Sequence, residues 1–242
     1  MKDLHCHLLY GIDDGCKTID ESVSLIKKMS DAGIKEMIVT PHYIESSKYN
    51  CNKRQKKTLL TKLKNRLKKE NIDVTLYLGN EVFYTDKFVE LLKSKEIYPL
   101  NGSRYVLFEF PMHNSYHGSG SVISYLISQG YIPILAHPER YRKFQETPEL
   151  AKEYLRMGVL LQGNYASLFG KYGRHAKKTL RYFIKKGWIS FLGSDAHHDV
   201  KYNKKKLKRV LHRLNKNERY LQDLLEGNFD RVIQNEEIPM IR

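Results

Sequence analysis

Residues 2–8 read Lys2-Asp3-Leu4-His5-Cys6-His7-Leu8, and the interpretation of the whole chain grows from that segment. In a β-strand side chains alternate faces with period two, which puts His5 and His7 on one side and Leu4 and Cys6 on the other. Two imidazoles so placed suit two ligands of one metal ion. Cys6 then reads as a packing residue, not a reactive thiol. The same pattern recurs down the chain, a short apolar run followed by a residue of ligand type. Glu36 to Thr40 leads into Pro41-His42, Val74 to Gly79 into Glu81, and Tyr105 to Phe110 carries Glu109. Ile132 to Ala136 runs into His137, Val159 to Gln162 into Asn164, and Ile189 to Gly193 into Asp195 and His197.

Helical patterns separate these runs. Thr18 and Glu21 have capping-box spacing ahead of Val23, Ile26 and Met29. Lys53 to Glu70 repeats Leu59, Leu60, Leu63 and Leu67 at helical intervals beneath a cationic outer face. Further helices are expected near 86–94, 121–129, 148–157, 174–186 and 203–214. Alternating strands and helices imply parallel pairing through right-handed crossovers, in an open sheet or a closed barrel. No G-x-G-x-x-G or Walker lysine motif follows any strand, so the usual mark of the open sheet is missing. Residues from separate strand ends converge at the C-terminal mouth of a barrel, where barrel enzymes keep their chemistry. The expected fold is α/β, a TIM-like barrel, with residues 1–242 as one domain because no Pro/Gly/Ser-rich linker interrupts the series. A single histidine at a strand end is more often a hydrogen-bonded structural group. A set of imidazoles and carboxylates is different, because burying them together costs free energy that divalent cations relieve. Asp13-Asp14-Gly15 offers either a further ligand or a turn.

Composition narrows the alternatives. Of 242 residues, 41% are hydrophobic and 29% charged, which favours a packed core over disorder. No run approaches the roughly 18 apolar residues of a membrane span, and the N-terminus lacks a signal-peptide apolar region. A soluble, cytoplasmic protein is expected. Cys6, Cys16 and Cys51 are odd in number and no disulfide is expected. Thiolate phosphatase chemistry is excluded, since the arginine it needs six positions after the cysteine is replaced by Ile12, Ser22 or Lys57. The net charge of +15 is concentrated in segments 53–70, 171–186 and 201–216, which are either solvated helix faces or a surface for anionic partners. The aromatic interleaving of a nucleic-acid platform does not accompany them, so nucleic acid is disfavoured as a partner.

The motifs Asp3-Leu4-His5-Cys6-His7, Gly11-Ile12-Asp13-Asp14-Gly15, Thr40-Pro41-His42-Tyr43, Gly79-Asn80-Glu81, Phe108-Glu109-Phe110, Ala136-His137-Pro138-Glu139-Arg140-Tyr141, Gln162-Gly163-Asn164 and Gly193-Ser194-Asp195-Ala196-His197 occur in this order. The sequence resembles the polymerase-and-histidinol-phosphatase (PHP) metallophosphoesterases. Within them it is most similar to the manganese-dependent tyrosine-protein phosphatases encoded with bacterial capsule and exopolysaccharide genes. The resemblance implies a distorted (β/α)7 TIM-like barrel of the PHP fold that holds three divalent cations, manganese by family habit, with Fe or Zn compatible with the same donors. By motif match His5, His7, Glu81 and Asp195 would hold the first, Glu81, Glu109 and His137 the second, and Asp14, His42 and His197 the third. Arg140 would clamp a phosphate oxygen through its guanidinium fork, against the alternative of a salt bridge to Glu139. Water activated among the cations would attack phosphorus without a phosphoenzyme. The implied substrate is phosphotyrosine on a membrane-associated bacterial tyrosine kinase, with the basic helices facing an acidic tail or an anionic membrane surface.

One departure stands out. This branch normally carries an Arg-Pro element after the Asp-x-His motif, and here the stretch reads His198-Asp199-Val200-Lys201-Tyr202-Asn203, leaving Lys201 as the candidate second phosphate contact. Rival readings are a PHP phosphoesterase acting on histidinol phosphate or single-stranded DNA, an amidohydrolase, and a cationic metal-stabilised binding module. Glu109, where amidohydrolases often place a lysine, argues against the amidohydrolase. A purely structural metal site would need no phosphate clamp, which argues against the binding module.

Overall fold

The computed structural model describes residues 1–111 and 119–239. Its strands are β1 (Asp3–Cys6), β2 (Glu36–Val39), β3 (His42–Tyr43), β4 (Thr75–Leu78), β5 (Glu81–Phe83), β6 (Tyr105–Glu109), β7 (Ile132–Ala136), β8 (Leu160–Asn164) and β9 (Phe191–Gly193). Seven coincide with the apolar runs. The additions, β3 and β5, are two- and three-residue pieces too short to show a period, and they carry His42 opposite Glu81 in parallel register. One sheet has the order β1-β2-β4 and the other β3-β5-β6-β7-β8-β9, every pair parallel. Strands β3 and β5 follow β2 and β4 after a short break. At the other edge His7 N donates to Ala196 O at 2.8 Å and Asp195 N to His5 O at 2.9 Å, joining β9 back to β1. The result is a distorted α/β barrel with parallel strands.

The helices are α1 (Ile19–Asp31), α2 (Lys53–Lys69), α3 (Phe88–Lys93), α4 (Ser119–Ser128), α5 (Arg142–Glu146), α6 (Ala151–Arg156), α7 (Gly173–Lys186), α8 (Lys204–Leu214), α9 (Glu218–Gln222) and α10 (Asn228–Gln234). At the start of α1 the Thr18 hydroxyl accepts from Glu21 N at 3.2 Å, but the Glu21 carboxylate accepts from Lys17 N instead of closing the box on Thr18. A complete capping box does occur at α2, between Asn52 and Gln55.

Two apolar layers fill the fold. Val23, Ile26 and Met29 of α1, Leu60, Leu63 and Leu67 of α2, and Val106 and Phe108 of β6 pack between helices and sheet. The barrel interior takes the alternate strand residues Ile38, Tyr105, Leu107, Ile134 and Ala136, together with Phe229 and Val232 of α10. Leu4 belongs to the interior and Cys6 to the outer layer, so the expectation that they share a face fails. The cause is a register irregularity in β1 between Asp3 and Cys6, which resets the alternation. That reset lets the interior stay apolar below while His5 and His7 both reach the mouth.

Candidate metal centre

His5 and His7 are completely buried, and each has one ring nitrogen committed. His5 Nδ1 lies 2.8 Å from Gln162 Oε1, and His7 Nδ1 lies 2.8 Å from Asp13 Oδ2. Both partner oxygens only accept, so in the neutral rings each Nδ1 carries the proton and each Nε2 presents a lone pair. The orientation of Gln162 is set in turn. Asp195 Oδ2 accepts from Asn164 Nδ2 at 2.8 Å, and Asn164 Oδ1 accepts from Gln162 Nε2 at 3.0 Å, which leaves Gln162 Oε1 for His5. The two Nε2 atoms are 3.2 Å apart. Glu81 Oε2 stands 3.1 and 3.2 Å from them, and Asp195 Oδ1 3.6 and 3.5 Å. Four acceptors thus face one another. Burial opposes charging His5, yet the Glu81 and Asp195 carboxylates raise its pKa to about 9. Burial opposes ionising Glu81, yet the charges of His5 and His42 hold its carboxyl well below the usual range. The point calls for positive charge.

The neighbouring groups continue the pattern. His137 Nε2 lies 2.9 Å from Glu81 Oε1 and 3.7 Å from Glu109 Oε2. His42 Nδ1 is 3.2 Å from both Glu81 Oε2 and Glu109 Oε1, and its Nε2 is 3.5 Å from Asp14 Oδ1. His197 Nε2 is 3.4 Å from the same Asp14 oxygen. The donor atoms of His5/His7/Glu81/Asp195, of His7/Asp14/His42/His197 and of His42/Glu81/Glu109 each lie within 4.8 Å of one another. His7 and His42 therefore each reach two groups, a sharing that the motif match did not anticipate.

Whether cations fit here can be read from the unpaired atoms. Glu81 Oε2 and His42 Nδ1 are buried and close, but neither has a hydrogen-bond partner. Buried polar atoms normally find one, and two that approach without donating to each other are aimed at a common third atom. Oxygen and imidazole donors without thiolate suit Mn, Fe or Zn. The cysteines stay outside: all three are free thiols, and Cys6 Sγ donates to Ile38 O at 3.3 Å. The backbone is also bent to this purpose. His137 (φ 34°) and Asp195 (φ 49°) sit in the left-handed region, a strain of roughly 1–3 kcal/mol each that surrounding structure must offset. Gly193 is required two residues before Asp195, because a Cβ there would come 2.9 Å from the His5 Cβ and from Gln162 Nε2.

A family model described as capsular polysaccharide synthesis, CpsB/CapC, matches residues 1–234. The chain belongs to the CpsB/CapC family. A putative tyrosine-protein phosphatase CapC of Staphylococcus aureus is 34% identical over 197 residues, covering 81% of this chain and 77% of that protein. Tyrosine-protein phosphatase CpsB of Streptococcus agalactiae serotype III is 31% identical over 206 residues, covering 81% and 83%. Among solved structures, one described as YwqE from Bacillus subtilis and CpsB from Streptococcus pneumoniae, unique metal-dependent tyrosine phosphatases, superposes with a TM-score of 0.91 at 28% identity. It covers 100% of this chain and 97% of that one.

In this CpsB/CapC chain Arg140 does not pair with Glu139. Its Nη1 lies 2.9 Å from Asp195 Oδ2, and its guanidinium stacks 4.6 Å from the centre of the Tyr172 ring. Glu139 turns inward, where its Oε1 accepts from Asn164 N at 2.9 Å and from the Ser167 hydroxyl at 2.7 Å. Lys201 lies outside the imidazole and carboxylate cluster, exposed on the wall of an adjoining cavity. The Asp13–Asp14 ambiguity divides cleanly: Asp14 joins His42 and His197, while Asp13 orients His7 and accepts from His42 N at 3.1 Å. The roles of Gln162 and Tyr172 are not legible in the sequence: Gln162 stands in a matching motif and ends an apolar run but has no role implied there, and nothing marks Tyr172.

Proposed function

We propose that this protein is a metal-dependent protein-tyrosine phosphatase acting on a membrane-associated bacterial tyrosine kinase that regulates capsule or exopolysaccharide synthesis. Residues 1–242 act as one domain, in the cytoplasm. The observation that carries the reading is a buried surplus of acceptor atoms with one guanidinium, Arg140, at its edge. We assign three cations to His5/His7/Glu81/Asp195, to Glu81/Glu109/His137 and to Asp14/His42/His197, with Mn2+ preferred. When bound, such cations lower the pKa of water and neutralise phosphoryl oxygens. The chain's own residues do the rest. Gln162 and Asp13 hold His5 and His7 with their Nε2 lone pairs inward. Arg140, backed by the Tyr172 ring, offers its fork to a phosphate oxygen on trading its contact with Asp195. Lys201 supplies a second, point-charge contact. A phenolate leaving group of pKa near 10 requires little general-acid help, and no acid is assigned.

The decisive assay is a substrate panel with manganese: a phosphotyrosine peptide, histidinol phosphate and single-stranded DNA. Hydrolysis confined to the phosphotyrosine peptide, abolished by chelator and by His5→Ala with folding intact, is the expected result. Preference for histidinol phosphate or DNA would move the protein to another branch. Unchanged kinetics in Lys201→Ala would remove Lys201 from the phosphate site.

A further inference from the structure

A cavity of about 630 Å³ opens beside the candidate metal centre, between the loops that follow β8 and β9. Both loops lie at the C-terminal mouth, and Ser194, next to Asp195 in sequence, is part of the wall. Rings form much of the lining. Tyr165 and Tyr202 meet edge to face with centroids 5.3 Å apart, and the Lys206 ammonium lies 5.0 Å over the Phe169 ring. Lys171 and Lys201 join Lys206 in the wall against one acid, Asp199. Among the described residues none of these three lysines is held in an ion pair with a carboxylate. Lys171 also ties the cavity to the clamp: its Nζ lies 5.1 Å from the centre of the Tyr172 ring that carries Arg140, and the Tyr172 hydroxyl is 3.4 Å from Asp195 Oδ2.

We propose that this cavity receives the residues flanking the phosphotyrosine and selects substrates with Asp or Glu there. The inference rests on the phosphotyrosine-phosphatase reading and deepens it. A phosphate engaged by Arg140 leaves the peptide on either side of it next to Tyr172 and Lys171. The aromatic rings take the backbone and methylene groups of that peptide, while unpaired ammonium groups favour carboxylates and penalise basic side chains. A membrane surface is flat and these lysines line a concavity, so an inserted chain is the better match. No stacked ladder of exposed rings of the kind that binds single-stranded nucleic acid is present among the described lining residues.

The test separates the inference from the reading beneath it. Two fluorescent peptides are compared, both carrying non-hydrolysable phosphonomethyl-phenylalanine, one flanked by Asp and Glu and the other by Ser and Gly. Anisotropy with the manganese-loaded protein measures affinity without turnover. The acidic peptide is expected to bind about fivefold to tenfold more tightly. The Lys206→Ala protein should lose most of that preference while hydrolysing p-nitrophenyl phosphate at its ordinary rate, and Lys206→Glu should reverse it. Equal affinity for both peptides in the unmodified protein, a preference that survives the Lys206 substitution, or displacement by a single-stranded oligonucleotide as effective as by the unlabelled acidic peptide would each overturn the proposal. Failure to hydrolyse p-nitrophenyl phosphate at all would sink the phosphatase reading instead, with the binding preference still measured.

Discussion

Asn80 and Glu81 are neighbours in sequence and belong to opposite kinds of buried site. Both polar atoms of Asn80 have partners: its Oδ1 accepts from Lys56 Nζ at 2.6 Å and Tyr98 N at 3.0 Å, and its Nδ2 donates to Pro41 O at 2.9 Å. Lys56, fully buried on α2, brings the charge there, beside the Tyr43 ring at 5.5 Å. Glu81 instead faces imidazoles and keeps an orphaned oxygen. One residue is paired with an ammonium group from the chain itself, and the other keeps an acceptor that the chain's own donors leave unused. The contrast separates structural from functional burial better than residue type does, because a closed hydrogen-bond inventory supports the fold and an open one awaits a ligand.

The largest effect should come from making the open site resemble the closed one. Glu81→Gln keeps the shape but removes the charge shared by the groups around His5 and His42. Activity should fall by at least about a thousandfold and bound metal should drop in elemental analysis, with the circular dichroism unchanged. Full metal content and near-normal turnover in that protein would show that Glu81 is as structural as Asn80.

Next comes the closed site. Burial lowers the Lys56 pKa from 10.5 to about 8. Below pH 8 the ammonium is charged in folded and unfolded protein alike, so the full cost of burying it is present. Between about pH 8 and 10.5 the unfolded chain holds a proton that the folded one has released, and stability rises with pH. The change amounts to about 3 kcal/mol. In Lys56→Met that rise should vanish, so urea midpoints of the metal-free proteins should differ most near pH 7.5 and converge toward pH 10. Parallel pH curves would mean that Lys56 stays charged and that the region is less closed than its hydrogen bonds indicate.

The open site was more legible in sequence than the closed one for a physical reason. Ligand chemistry is confined to a few residue types, and a barrel places them at strand ends, so His5, Glu109, His137 and Asp195 announce themselves without any knowledge of packing. Lys56 reads as one more cation of a surface helix because, although it stands four residues before Leu60 and shares the face of Leu60, Leu63 and Leu67, an ammonium at the end of such a stripe is expected to reach solvent. The same blindness hid β3 and β5, whose pairing depends on partners remote in sequence, and the side-switch in β1, which depends on a local register irregularity. The C-terminal α10 went unseen as well, although Phe229 and Val232 close the barrel interior. Nothing in a short polar-apolar mixture signals what lies beneath it.

The smallest predicted effect tests whether open sites also need closed surroundings. Gln162 accepts from His5 and donates to Asn164, which donates to Asp195, so one amide keeps two candidate ligands in matching orientations. Gln162→Leu leaves the His5 Nδ1 proton without an acceptor in a dry site, and metal affinity measured by chelator competition should fall about tenfold. Gln162→Glu is the sharper variant. Its carboxylate still accepts from His5 but sets two acceptors against each other at Asn164 Oδ1, forcing that amide to turn its oxygen toward Asp195. Affinity should therefore fall by a similar factor, although the His5 contact survives. Wild-type affinity in the Glu protein together with a loss in the Leu protein would confine the effect of Gln162 to His5 alone, and would show that the chain of amides stops one residue short of Asp195.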